Sequence, residues 1–212
     1  MKDFDELREL YESKKNDIKK RLEEFKEVFN RTDEKIFSEL AFCILTPQSK
    51  AVTSWNAIQA LERNNLLLNG SEKQIRPFLQ AVRFGETKGR RIIENRKLFM
   101  RNGRLEIKNK LNLNPVDLRE WLVENIDGYG MKEASHFIRN IGISDNQLAI
   151  LDVHIIKNLN RFGVIEEIPK SLTKKKYLEI ESKMKDFAGK LGITLDELDI
   201  LLWSKETGMI FK

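Results

Sequence analysis

The 212-residue chain has one cysteine, two histidines and no long apolar run. With Cys43 alone, no internal disulfide can form, and no four-thiolate zinc or iron–sulfur site can be built. His136 and His154 are too few for a His-rich metal centre, so catalysis has to rest on other side chains. No stretch approaches the roughly 20 apolar residues that span a bilayer, and "MKDFDELREL" is charged from its second residue. A cytoplasmic protein with no membrane partner is the expectation. Repeats, low-complexity tracts and convincing period-two alternation are missing too. Charge of one sign is not dominant: 38 Lys+Arg stand against 33 Asp+Glu, a net +5 that suits nucleic acid without demanding it.

What is present is helical periodicity. Phe4, Leu7, Leu10 and Tyr11, then Leu22, Phe25, Val28 and Phe29, recur at three and four, as do Ile36, Phe37, Leu40, Ala41 and Ile44. Ser71 with Gln74 forms a capping-box pattern, and Pro77 shortens or bends the helix that starts there. Asn114 and Pro115 open "PVDLREWLVENI" as cap and first helical residue. "SLTKKKYLEIESKMKDFAGKLG" and "TLDELDILLWSKETG" each end near a glycine suited to a C-terminal cap. The expected fold is all-α, one unit over residues 1–212 made of two packed helical lobes with a cleft between them.

One stretch interrupts the pattern. In "IDGYGMKEASHFIRNIG", residues 115–126 and 131–141 read as helices, so Gly128-Tyr129-Gly130 is a tight turn between them. Glycine permits positive φ and close backbone approach. The second helix begins with free N–H groups and the positive end of its dipole, which suits a phosphate. Lys132 sits on that helix start, where a cation is electrostatically disfavoured, so its place argues for a task.

The turn resembles the helix-hairpin-helix DNA-binding element, in the "GYGMKEAS" form of base-excision DNA glycosylases. "LAILDVHIIKNLNRFG" is similar to the glycosylase segment that holds a catalytic aspartate, here Asp152, 20 residues after Lys132. "CILTPQSKA" resembles the segment that inserts a polar side chain into the duplex. "EIPKSLTKKKYLEIE" and "LDELDILLWSKETGMIFK" extend the likeness over nearly the whole chain, to the compact type-2 8-oxoguanine DNA glycosylase/AP lyases. Iron–sulfur relatives need four cysteines, and type-1 enzymes carry an N-terminal β domain that a chain opening on helices lacks.

The resemblance implies a monomer that acts on double-stranded DNA containing 8-oxoguanine, associates with the prokaryotic nucleoid and needs no cofactor. Lys132 would be the nucleophile, its amine made neutral by desolvation and the helix dipole. Asp152, a helix cap on its own pattern, would also stabilise charge on the sugar and move protons. Gln48 would pair with the base left behind, Gly128 and Gly130 would let the backbone approach DNA, and His154 would reach a phosphate. A monovalent cation would sit on the backbone carbonyls of Glu124, Ile126 and Tyr129. Phe84 and Trp203 would sandwich the extruded purine, and the carboxylate at Lys212 would accept the N7–H that 8-oxoguanine has and guanine lacks. Two alternatives stay open: a non-enzymatic helix-hairpin-helix module, which has no use for Lys132 and Asp152, and a glycosylase/lyase for another oxidised base.

Overall fold

The structure, a computed structural model, describes residues 2–212. Helix α1 (Lys2–Phe29) lays Leu7, Ile18 and Phe25 inward and leaves its charged positions in solvent. Helix α2 (Asp33–Leu45) is central, with every residue from Ile36 to Leu45 buried. Around it come α3 (Ala51–Arg63), the short α4 (Leu66–Asn69) and α5 (Glu72–Ile75), and a 3₁₀ turn at Arg76–Leu79. Ser71 and Gln74 form their capping box, and Pro77 sits in that 3₁₀ turn, ending the α-helix because its ring cannot continue the ladder.

Helix α6 (Gly85–Phe99) leads into a hairpin of β1 (Met100–Arg101) and β2 (Arg104–Leu105). The sequence pattern does not announce this two-stranded ribbon by alternation; its signal is a turn. Asn102 and Gly103 both take positive φ, as a type I′ hairpin requires. The fold is otherwise helical. Helices α7 (Pro115–Asn125), α8 (Met131–Asn140), α9 (Val153–Arg161), α10 (Lys174–Leu191) and α11 (Leu195–Thr207) complete it. Among them the caps fall where the sequence placed them. The Asn114 side chain accepts from Asp117 N at 3.0 Å, and Gly192 and Gly208 end their helices in the left-handed conformation.

The buried apolar side chains form two clusters. One gathers α2, α3, α6, α7 and α8, including Phe37, Phe42, Leu118 and Phe137; Cys43 is buried there at 0% exposure, and burial pushes its thiol well above the ordinary range. The other gathers α1, α9, α10 and α11 around Leu159, Met184 and Leu201. Among the described residues no helix is long and apolar enough to cross a membrane.

Helix α1 packs on both α11 and α8, and so spans the two clusters. Its approach to the end of α8 is set by Gly142, at φ +74°, where a Cβ would lie 2.3 Å from the Lys26 Cα and 2.7 Å from the Phe25 carbonyl. Gly163 shares the left-handed conformation, φ +69°, but has open space around it. Gly163→Ala should therefore lower the melting temperature by roughly 2–4 °C, the cost of the backbone alone. Gly142→Ala, which also has to displace α1, should lower it by at least about twice as much. Equal losses in thermal unfolding would show that α1 can yield without cost.

Candidate active site

The turn after α7 is held from below. Ile126 N–H donates to Leu122 O and Tyr129 N–H to Ile126 O, while Asn95 of α6 brackets Asp127 with a bond to its N–H and another to its carbonyl, 3.0 and 2.9 Å. Tyr129 is no solvent-facing tip: its ring is buried and its hydroxyl donates to Leu40 O of α2 at 2.9 Å. Only one of the two glycines needs its freedom. Gly128 takes φ +93°, whereas Gly130 is extended at φ −111° and its N–H donates to Glu133 Oε2 at 3.1 Å.

Lys132 follows in the first turn of α8, its side chain 21% exposed and its Nζ 3.7 Å from Glu133 Oε1. The adjacent carboxylate is a partner that the sequence pattern does not announce. A cavity of about 850 Å³ opens beside Lys132, lined also by Asp152, His136, Asp199, Trp203 and Lys212. That volume suits a single extruded base and its sugar. The two helical clusters both contribute to its walls.

Asp152 caps α9 with one oxygen only. Oδ1 accepts from both His154 N and Ile155 N at 2.8 Å, and Oδ2 makes no hydrogen bond among the described residues. One carboxylate can thus cap a helix and still present a free oxygen to the cavity. His154, half-buried, lines the same wall.

The segment leading to Asp152, residues 148–152, is in no helix or strand, so its backbone needs side-chain partners. Glu181 of α10 supplies one, Oε2 accepting from Ala149 N at 2.7 Å. Tyr177 supplies two more, its hydroxyl donating to Ala149 O at 2.6 Å and accepting from Leu151 N at 3.3 Å. Glu181 is in turn gripped by two nitrogens of Arg119 from α7, at 2.6 and 3.0 Å, with Ser135 of α8 beside them.

Gln48 stands at the cavity rim in a turn closed by Ser49 N–H on Thr46 O, 2.9 Å. Pro47 takes the second position and Gln48 the third, at φ +56°, a backbone that glycine usually adopts. The side chain is exposed.

Phe84 stands apart from the cavity wall. It does not line the cavity with Trp203; it is 57% exposed at the start of α6, φ +58°, with the Arg83 guanidinium 5.0 Å from its ring. Gly85 brings the chain so close to Leu79 that a Cβ on Gly85 would lie 2.2 Å from the Leu79 carbonyl oxygen, and the ring before it is turned outward. The aromatic ring that joins Trp203 in the cavity wall is Phe211. Lys212 also lines the cavity, its ammonium 3.7 Å over the Trp55 ring and paired with the buried Glu39.

Two cavity residues went unnoticed in the sequence. His136 is one helical turn after Lys132; burial first, then the Lys132 and Arg139 cations, hold its imidazole neutral. Neither ring nitrogen makes a hydrogen bond of ordinary geometry, although the Lys212 main chain comes near enough to oppose that shift. Asp199 lies four residues before Trp203, on one face of α11, a spacing that could have flagged it. Burial pushes its carboxyl up to about 7, against the opposing pull of Arg139 at 3.5 Å, and its Oδ1 has no partner.

A family model described as 8-oxoguanine DNA glycosylase matches residues 18–193. The chain belongs to that family. It is 46% identical over 212 residues to a Fusobacterium nucleatum protein named 8-oxoguanine DNA glycosylase/AP lyase, covering 99% of this chain and 97% of the relative. A protein of the same name from Methanocaldococcus jannaschii is 35% identical, over 97% of this chain and 99% of its own length. The fold agrees with a crystal structure of the M. jannaschii 8-oxoguanine glycosylase/lyase in complex with a 15mer DNA containing 8-oxoguanine: TM-score 0.88 and 34% identity, over 100% of both chains. The Thermotoga maritima 8-oxoguanine DNA glycosylase matches with TM-score 0.85 and 34% identity, over 99% of this chain and 98% of that one.

A carboxyl raised from 3.8 to about 7 takes up a proton on folding between those values, so the stability it contributes falls as pH rises through that window. Asparagine cannot titrate. The melting temperature of Asp199→Asn relative to the parent should accordingly rise by roughly 5 °C between pH 5 and pH 8. A difference that stays level across that range would place Asp199 as already ionised at pH 5.

Proposed function

We propose that the protein excises 8-oxoguanine from double-stranded DNA and then cleaves the strand at the resulting abasic site. The observation that carries this reading is the shared cavity, where the amine of Lys132, the uncommitted Oδ2 of Asp152 and the indole of Trp203 meet in a space of base-and-sugar size. A module that only binds DNA has no need of that cavity.

In the proposed course, the Lys132 amine attacks the anomeric carbon of the extruded nucleotide. The bond to the base breaks, and the base leaves with its electron pair and takes up a proton. Opening of the sugar ring gives a Schiff base between Lys132 and the deoxyribose. Loss of a C2′ proton then expels the 3′ phosphate, and water releases the protein. Asp152 Oδ2 takes the proton from the attacking amine and stabilises positive charge on the sugar. Trp203 stacks on the base, and the main-chain oxygens at Lys212 accept its N7–H.

Gln48 fills the space the base vacates, His154 reaches a phosphate, and the backbone at Gly128 and Gly130 approaches the same strand. Binding of this kind would keep the protein on the nucleoid. A monovalent cation on the carbonyls of Glu124, Ile126 and Tyr129 fits the turn. Among the described residues no backbone N–H donates to the Glu124 or Tyr129 carbonyl, and Ile126 accepts only one. Such an ion would add positive charge between turn and phosphate.

Borohydride should trap the protein covalently on duplex DNA containing one 8-oxoguanine. Lys132→Gln should abolish trapping while DNA binding persists; trapping that survives would move the nucleophile elsewhere. Because asparagine caps helices about as well as aspartate, Asp152→Asn should melt within about 2 °C of the parent yet excise the base at least roughly a hundredfold more slowly. Normal excision by that variant would reduce Asp152 to a cap. Trapping on duplexes with an oxidised pyrimidine but not with 8-oxoguanine would change the substrate and keep the chemistry.

A further inference from the structure

Lys88 is buried at 3% exposure, yet it belongs neither to the cavity nor to an apolar cluster. Its Nζ donates to Leu45 O at 2.7 Å, to Pro47 O at 2.6 Å and to Ser49 Oγ at 3.2 Å. An ammonium has three donors, and all three are used on one short turn. Burial pushes its amine down to about 8, with the Lys132, Arg91 and Arg83 cations acting the same way and Glu133 opposing them. Desolvating a cation is costly, so the fold commits a costly group to a short surface turn.

That turn carries Gln48 at φ +56°. One turn of helix before Lys88 stands Phe84 at φ +58°, and the Lys88 N–H donates to the Phe84 carbonyl at 3.0 Å. Ser49 Oγ, the third acceptor of Lys88, also accepts from Arg83 N at 3.0 Å, which ties the two turns together. Two non-glycine residues in the left-handed region are strained and persist only where the surroundings over-determine them. The Lys88 ammonium does so for the Gln48 turn directly and for the Phe84 turn through Ser49. Leu45 is also the last residue of α2, so the same cation satisfies an orphan carbonyl at the negative end of a helix.

We infer that Lys88 is a positioning residue: a buried ammonium strut that keeps the Gln48 turn, and the Phe84 turn bound to it, rigid for insertion into the duplex. The inference rests on the proposal that Gln48 fills the gap left by the extruded base. Lys88 touches no substrate. Its effect runs through the turns it holds, so it should govern opening of the duplex and leave the chemistry at Lys132 alone.

The test compares Lys88→Met, which keeps length but has no donor, with Ser49→Ala, which removes one acceptor and the tie to Arg83. Each is combined with Gln48→Ala. Duplexes carry 8-oxoguanine with 2-aminopurine as the opposite base, whose fluorescence rises when it is unstacked. Lys88→Met should slow single-turnover excision from duplex DNA roughly tenfold and reduce the fluorescence rise as Gln48→Ala does. Cleavage of a preformed abasic site in single-stranded DNA should stay within about threefold. The double variant should be no slower than the slower single one, because both changes remove the same event. Ser49→Ala should act in the same direction more weakly, and it carries the test if Lys88→Met does not fold. Excision at the parent rate in either variant, equal losses on duplex and single-stranded substrates, or multiplicative losses in the double variant would overturn the inference. If the parent protein neither excises 8-oxoguanine nor is trapped on it, the functional proposal itself fails, which the parent control reports separately.

Discussion

The Arg119–Glu181 ion pair is the interaction on which the geometry of the site depends. Arg119 is 1% exposed, and its partner lies 62 residues away in the chain. Through two nitrogens it joins α7 to α10, and through Ser135 it reaches α8, so both arms of the hairpin are referred to one point. The Glu181 oxygen that accepts from Arg119 Nη1 also accepts from the N–H of Ala149, three residues before Asp152. The segments that carry Lys132 and Asp152 both meet this pair, one through Ser135 and the other through Ala149. Losing one partner of such a pair commonly costs about 3–5 kcal/mol, because the survivor remains buried and charged. The two-nitrogen grip fixes a register that apolar packing alone would leave free to slide.

A second economy lies in side chains that hold structure and function at once. The oxygens of Asp152 divide between helix and cavity, so the residue needs no further positioning partner. Glu133 likewise closes the start of α8 on Gly130 with one oxygen and faces Lys132 with the other. Tyr129 anchors its turn to α2 through its hydroxyl, which lets the flanking backbone stay bare for contact. In each case the element beside the cavity is tied into the fold, because the same residue belongs to both.

How much of this was legible in the sequence depended on range. Local signals carried well: Asn114-Pro115 starts a helix as read, Gly192 and Gly208 end theirs, and Asp152 caps α9. The hairpin and its lysine were also visible, since the break in helical periodicity is itself local. Contacts between distant segments were not. Nothing marks Lys88 as the partner of a turn 41 residues earlier, or Arg119 as the partner of Glu181, because charged residues at those spacings usually face solvent. The direction of the Phe84 ring was not legible either: it is exposed and lies outside the cavity wall that Trp203 lines. Asn102-Gly103 was a readable turn signal, overlooked because strands two residues long show no period.

The single thiol has a consequence of its own. Cys43 lies in the last turn of α2 with no exposed surface, and burial keeps it in the protonated form that peroxides attack slowly. The oxidants that convert guanine to its 8-oxo form also consume accessible sulfur. A repair protein of this composition has no accessible cysteine to inactivate, so the thiol route of oxidative damage is closed to it, and its exposed sulfur is that of methionines such as Met209 at the cavity.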